Sequence, residues 1–182
     1  MSLIKDLKYK VGSYFLDTER DSNRKIQTRN FELSTSIGIL FKVESESDFI
    51  LVKQYRKHLQ SEFGIQSVSA FGWIDSKQLP DYATLHRGFS FINQTNVNWY
   101  CKPFGEEYKE FTKTPFDILI DLTFDAIIPL RFALKKSVAR MKVGRYHSND
   151  YKLYDLTFNL KGNALLDEYL KQTDKYLKLI KP

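Results

Sequence analysis

Ile37-Gly38-Ile39-Leu40-Phe41-Lys42-Val43 is the stretch on which the fold turns. It holds a single charge and no apolar–polar alternation. It therefore reads as a strand covered on both faces, because a strand with one wet face alternates with a period of two. Glu44-Ser45-Glu46-Ser47-Asp48 follows, and then Phe49, Val52, Tyr55 and Leu59 recur at the spacing of one helix stripe. Gly64 stands where a helix ends in a left-handed residue. Ile65 to Ile74, with Val68, Ala70 and Trp73, reads as a second strand. Strand, helix and strand in this order predict a βαβ unit with a right-handed crossover.

Downstream the pattern repeats. In Thr114-Pro115-Phe116-Asp117-Ile118-Leu119-Ile120-Asp121-Leu122, the run Ile118 to Leu122 is the best central-strand candidate. A helix is expected from Asp125 to Met141, with Ile127, Leu130, Leu134, Val138 and Met141 on one face. Pro129 is compatible only with its first turn. Lys142 to Tyr146 and Tyr154 to Leu160 read as strands, and Asn163 to Ile180 as a closing amphipathic helix. Between the halves, Phe89 to Ile92 suggests a short strand and Glu106 to Phe111 one or two helical turns. Strands alternating with helices predict an α/β protein with a single open, mostly parallel sheet and helices on both faces, Rossmann-like in architecture. Ligands of such sheets bind beyond the carboxyl ends of the strands, near the switch point. The loops to watch are therefore 44–48 and 123–129.

Residues 1–35 read as a basic N-terminal arm with seven bases and five acids, preceding an α/β domain over 36–182. Leu3, Leu7, Val11, Tyr14 and Phe15 predict a helix from Leu3 to Leu16, and the polar stretch Thr18 to Asn30 is expected to be loosely ordered. The 182 residues suit one domain. A single cysteine, Cys101, excludes an internal disulfide and any multi-cysteine zinc site. No apolar run approaches the ~20 residues of a membrane span, and the amino end lacks a signal-peptide pattern, so a cytoplasmic location is expected.

Five carboxylates collect at the expected ligand edge: Glu44, Glu46 and Asp48 after the first strand, and Asp121 and Asp125 at the end of the central one. If the two strands are neighbours, these acids could converge on Mg²⁺. The simpler account is that Ser45 or Ser47 caps the helix while the acids favour its positive end, and neither a metal site nor a cofactor is expected. Neither loop has the glycines of a phosphate cradle, and three acids in the first would repel phosphate. Arg131, Lys135, Lys136, Arg140, Lys142 and Arg145 form a run of bases without an acid, which a helix would gather into a basic flank. Its alternative is a solvated helix face with stems lying over the core. His58, beside Arg56 and Lys57, is expected to be exposed, and His86 and His147 fall in loops, so no catalytic residue is assigned.

Ser36 to Phe41 after a basic arm, then Thr114 to Leu122, Lys142-Val143-Gly144, a closing strand and a tyrosine-containing helix resemble an uncharacterised family of small proteins from Bacteroidota, a domain of unknown function. That resemblance implies the fold and a bacterial cytoplasmic source, with no activity attached. Phe116 to Leu122 followed by Val143-Gly144-Arg145 is similar, more locally, to the N-terminal domain of lipopolysaccharide heptosyltransferases. Those enzymes use two such domains, and this chain has room for one. The expected function is a non-enzymatic binding or interaction protein whose basic flank meets nucleic acid or an acidic protein partner. The alternative is a transferase-like or metal-dependent phosphate enzyme at the carboxyl edge of the sheet, carried by Asp121, Asp125 and Glu44. A third is a subunit that docks through aromatic residues around Trp99 to Phe104.

Overall fold

The computed structural model describes residues 3–84, 86–147, 151–160 and 164–181, with backbone alone for 3–6 and 151. Its strands are β1 (Ser36–Lys42), β2 (Ser67–Ile74), β3 (Phe89–Asn93), β4 (Ile118–Asp121), β5 (Met141–Arg145) and β6 (Leu156–Phe158). Its α-helices are α1 (Leu3–Thr18), α2 (Glu46–Phe63), α3 (Glu106–Lys113), α4 (Ile128–Lys136) and α5 (Leu166–Leu179). The six strands form one sheet in the order β3-β2-β1-β4-β5-β6. Every pairing is parallel. In particular Ile37 lies beside Ile118 and Leu40 beside Asp121, so the two apolar runs are adjacent and co-directional.

Strand parity sends successive side chains to opposite faces. Ile37, Ile39 and Phe41 of β1 and Ile118 and Ile120 of β4 pack with Phe49, Val52, Tyr55 and Leu59 of α2 and with Tyr169 and Leu177 of α5. Leu40 and Leu119 pack in the other layer, with Phe111 of α3 and Leu130 and Leu134 of α4. Both faces are thus buried, which is why neither strand alternates. α1 lies outside α4, where Leu16 meets Ile128 and Phe132.

Ser45 caps α2 by accepting from the Asp48 N–H, and Gly64 ends it in the left-handed region, at φ 66°. Several elements are shorter than their sequence patterns predict, α4 and β6 among them. α4 stops at Lys136, because beyond it the backbone is claimed by neighbours: the Val138 N–H donates to Thr112 and the Arg140 N–H to Phe116. Met141, read as the last residue of that helix stripe, instead opens β5. β6 spans only Leu156–Phe158, so Tyr154 stands outside it.

Residues 19–30, expected to be loose, are tied down. Arg24 donates to Asp155 at 2.8 and 2.7 Å and also to the carbonyls of Ala139 and Arg140. The Ser22 hydroxyl donates to the Ser137 carbonyl at 2.6 Å, and the Gln27 N–H to that of Arg140 at 3.1 Å.

Candidate functional site

The switch point of this sheet lies between β1 and β4, because the chain moves outward one way through β2 and β3 and the other way through β5 and β6. A cleft of about 330 Å³ opens there. Lys42 and Glu44 line one side, with Asp48 from the first turn of α2. Thr123, Phe124 and Asp125 from the loop between β4 and α4 line the other, and Leu166 of α5 also lines the cleft.

The five carboxylates expected at this edge divide. Glu44, Asp48 and Asp125 line the cleft, whereas Glu46 lies on the exposed side of the first turn of α2. Glu44 pairs with the Lys42 ammonium. Asp48 accepts from the Ser45 hydroxyl at 2.8 Å and so completes the helix cap. Asp121 is buried and turned to structural use: Oδ1 accepts from the Thr123 N–H at 2.9 Å and Oδ2 from the Tyr154 hydroxyl at 2.7 Å. The Tyr169 hydroxyl donates to its backbone carbonyl. Burial, reinforced by the negative charge of Asp121, pushes the Tyr154 and Tyr169 hydroxyls well above the ordinary tyrosine range, so both remain donors. Among the described residues, no group of three or more His, Cys, Asp or Glu side chains is placed to hold a metal ion.

Gly144 explains how Tyr154 reaches Asp121. A Cβ at position 144 would overlap the Tyr154 ring, so only glycine lets that ring lie against β5. The Tyr154–Asp121 partnership is long-range, and no local motif could have announced it.

No residue of the basic run is fully exposed: Lys135, Lys136, Arg140 and Arg145 are half-buried. Arg131 and Lys142 are buried. Lys135 donates to the carbonyls of Leu16 and Asp17 at 2.8 and 3.2 Å, where cations favour the last turn of α1. Lys136 pairs with Glu19 at 3.0 Å, and Glu19 also holds Lys102. Burial alone would raise the Glu19 carboxyl, but the two lysines outweigh it and hold it below the carboxylate range. Arg140 pairs with Asp117, which also accepts from the N–H groups of Thr35 and Ser36. Arg145 lies over the Phe124 ring, 5.8 Å from its centroid. With α4 ending at Lys136, Lys136 and Arg140 no longer share a helix face.

His58, expected to be exposed, is half-buried and lies 2.7 Å from Asp174 of α5, and His86 Nε2 lies 2.8 Å from the Tyr82 carbonyl. Among the described residues no helix is long and apolar enough to cross a membrane.

Six parallel strands wound outward in both directions from β1 and β4, with a cleft over the switch, define an open Rossmann-like α/β protein. Within that class the chain belongs to the family of unknown function DUF6913, whose pattern it matches over residues 8–180. No curated protein matches it. Among solved structures it is similar to the E. coli heptosyltransferase WaaC with ADP, at 13% identity and a TM-score of 0.48. That match covers 78% of this chain and 46% of the enzyme, so the chain spans a little under half the enzyme's length.

Proposed function

We propose that this protein binds a small, neutral, hydroxyl-rich molecule in the cleft between the carboxyl ends of β1 and β4. One observation carries the reading: the cleft presents three carboxylates, Glu44, Asp48 and Asp125, against one ammonium, Lys42, which Glu44 already engages. Carboxylates are acceptors only and suit ligands that donate several hydrogen bonds. The same charges repel phosphate, and neither loop supplies a glycine cradle. Phe41, Leu122 and Phe124 add an apolar wall for the C–H face of such a ligand. The volume falls within the range of about 300–1,000 Å³ common to small-molecule sites.

The basic run offers less support for nucleic acid or an acidic protein as the partner. A phosphate would have to compete with Glu19, Asp117 and the α1 carbonyls for bases already engaged. Transfer chemistry at the same edge would rest on Glu44 and Asp125, since Asp121 is sealed beneath Tyr154.

Thermal-shift and calorimetric titrations with neutral mono- and disaccharides test the proposal, with nucleotides as the charged comparison. A ligand of this class raises the melting temperature by mass action. The rise should shrink in Asp125→Asn and Glu44→Gln, whose exposed side chains leave folding intact. Flat traces for every saccharide, or a nucleotide shift that Asp125→Asn and Glu44→Gln abolish, would overturn it.

A further inference from the structure

A second pocket, of about 430 Å³, lies beyond the carboxyl ends of β2 and β3, on the side of the sheet covered by α1 and α4. Its walls include Trp73 of β2, Asp75 and Lys77 just after it, Lys8 and Tyr9 of α1, and Trp99. It shares no lining residue with the cleft at the switch point. Its charge balance is also opposite, with two ammonium groups against one carboxylate.

Three features single it out. Trp99 is 62% exposed although it is the kind of side chain that burial stabilises most. It is held edge-on by Tyr100 at 5.4 Å and by Phe15 at 6.4 Å, so its ring is fixed without being covered. Trp73 is 3% exposed, and its indole N–H is buried with no hydrogen-bond partner among the described residues, a costly condition. Cys101, also on the wall, has φ 67°, a left-handed value that a residue with a Cβ rarely adopts. The turn that imposes it is locked by Asn98, whose side-chain oxygen accepts from the N–H groups of Tyr100 and Lys102. Strain held in place by its surroundings clusters at ligand clamps.

We infer that this pocket is a binding site for a planar aromatic or heteroaromatic molecule that carries an anionic group. The ring stacks on Trp99, and the anion sits between Lys8 and Lys77. Two rigid aromatic walls favour a flat ligand because stacking is tolerant of ring identity. The excess of ammonium groups selects for negative charge, which the first cleft repels.

The chain's two tryptophans both line this pocket, so intrinsic fluorescence reports on it directly. Adenosine 5′-monophosphate and 1-naphthoate are the probes, with adenosine as the uncharged comparison. At least one anionic probe should change tryptophan emission saturably and slow the alkylation of Cys101 by iodoacetamide, and the monophosphate should bind more tightly than adenosine. Trp99→Ala should weaken binding about tenfold, which corresponds to one lost stacking contact. Trp99→Phe should restore part of the loss and Lys77→Gln should weaken binding less than Trp99→Ala, while Asp125→Asn should leave it unchanged. Circular dichroism of each variant reports its folding. The inference is overturned by no saturable response to either anionic probe at millimolar concentration. It is equally overturned by undiminished binding to a folded Trp99→Ala variant, or by loss of binding in Asp125→Asn, which would place the probe in the other cleft.

Discussion

Lys142 shows how far one side chain can depart from what its charge suggests. It is 3% exposed, and its ammonium donates to the Lys135 carbonyl at 3.3 Å. Burial pushes its pKa down to about 7, helped by Arg24 and Lys135 and opposed by Asp155 and Asp21. A lysine depressed in the folded state binds fewer protons there than when unfolded, so stability rises with pH between the folded and unfolded values. The urea midpoint should therefore climb from pH 7.5 to pH 9.5, a window below the titration of tyrosine. Lys142→Met should flatten that climb, and an unchanged slope in the variant would remove Lys142 as its source. None of this could be read from Arg131 to Arg145 as a string of letters. A base on a solvated helix and a base sealed beneath a distant segment look alike until the partner is known. Here the neighbours that set it, Arg24 and Asp155, come from distant parts of the chain.

The elements themselves were more legible where local rules agreed. For α2, the stripe from Phe49 to Leu59, the Ser45 cap and the Gly64 terminus all point to the same bounds. For α4 the rules conflict: Val138 and Met141 continue the helical period, but tertiary hydrogen bonds from 138 and 140 end the helix early. α1 was visible as a helix, but its seat was not. Gly12 faces the Tyr100 carbonyl oxygen, where a Cβ would lie at 2.6 Å, and Ile128 Cγ2 at 3.0 Å. Alanine is a better helix former than glycine by about 1 kcal/mol, yet a clash with backbone must displace the whole helix. Gly12→Ala should therefore lower the melting temperature and speed amide exchange in α1. A more stable variant would mean that α1 shifts without cost.

Across the whole molecule, the unalternating runs at Ile37 and Ile118 disclosed the layered architecture because a sheet buried on both faces leaves that trace in any sequence. The clefts left no such trace. Each is assembled from several separated segments, and their residues are unremarkable one by one; only the loops at the two strand ends of the first cleft, with Glu44, Asp48 and Asp125, were visible in advance. The two openings differ in charge, so one sheet edge presents an acidic and a basic mouth on either side of β1.

The link from α1 to β1 has its own consequence. Residues 19–30 form neither helix nor strand, but they carry Arg20, Arg24, Lys25 and Arg29, every one a peptide bond that trypsin could attack. A protease must pull its target into an extended strand, and here that means first releasing the Ser137, Ala139 and Arg140 carbonyls and the Asp155 carboxylate. Cleavage between Arg20 and Arg29 should therefore track global unfolding, with the same urea dependence, and not local fraying. A polypeptide started at Ser36 would lack these attachments from birth, and should reach the digest already open along β5.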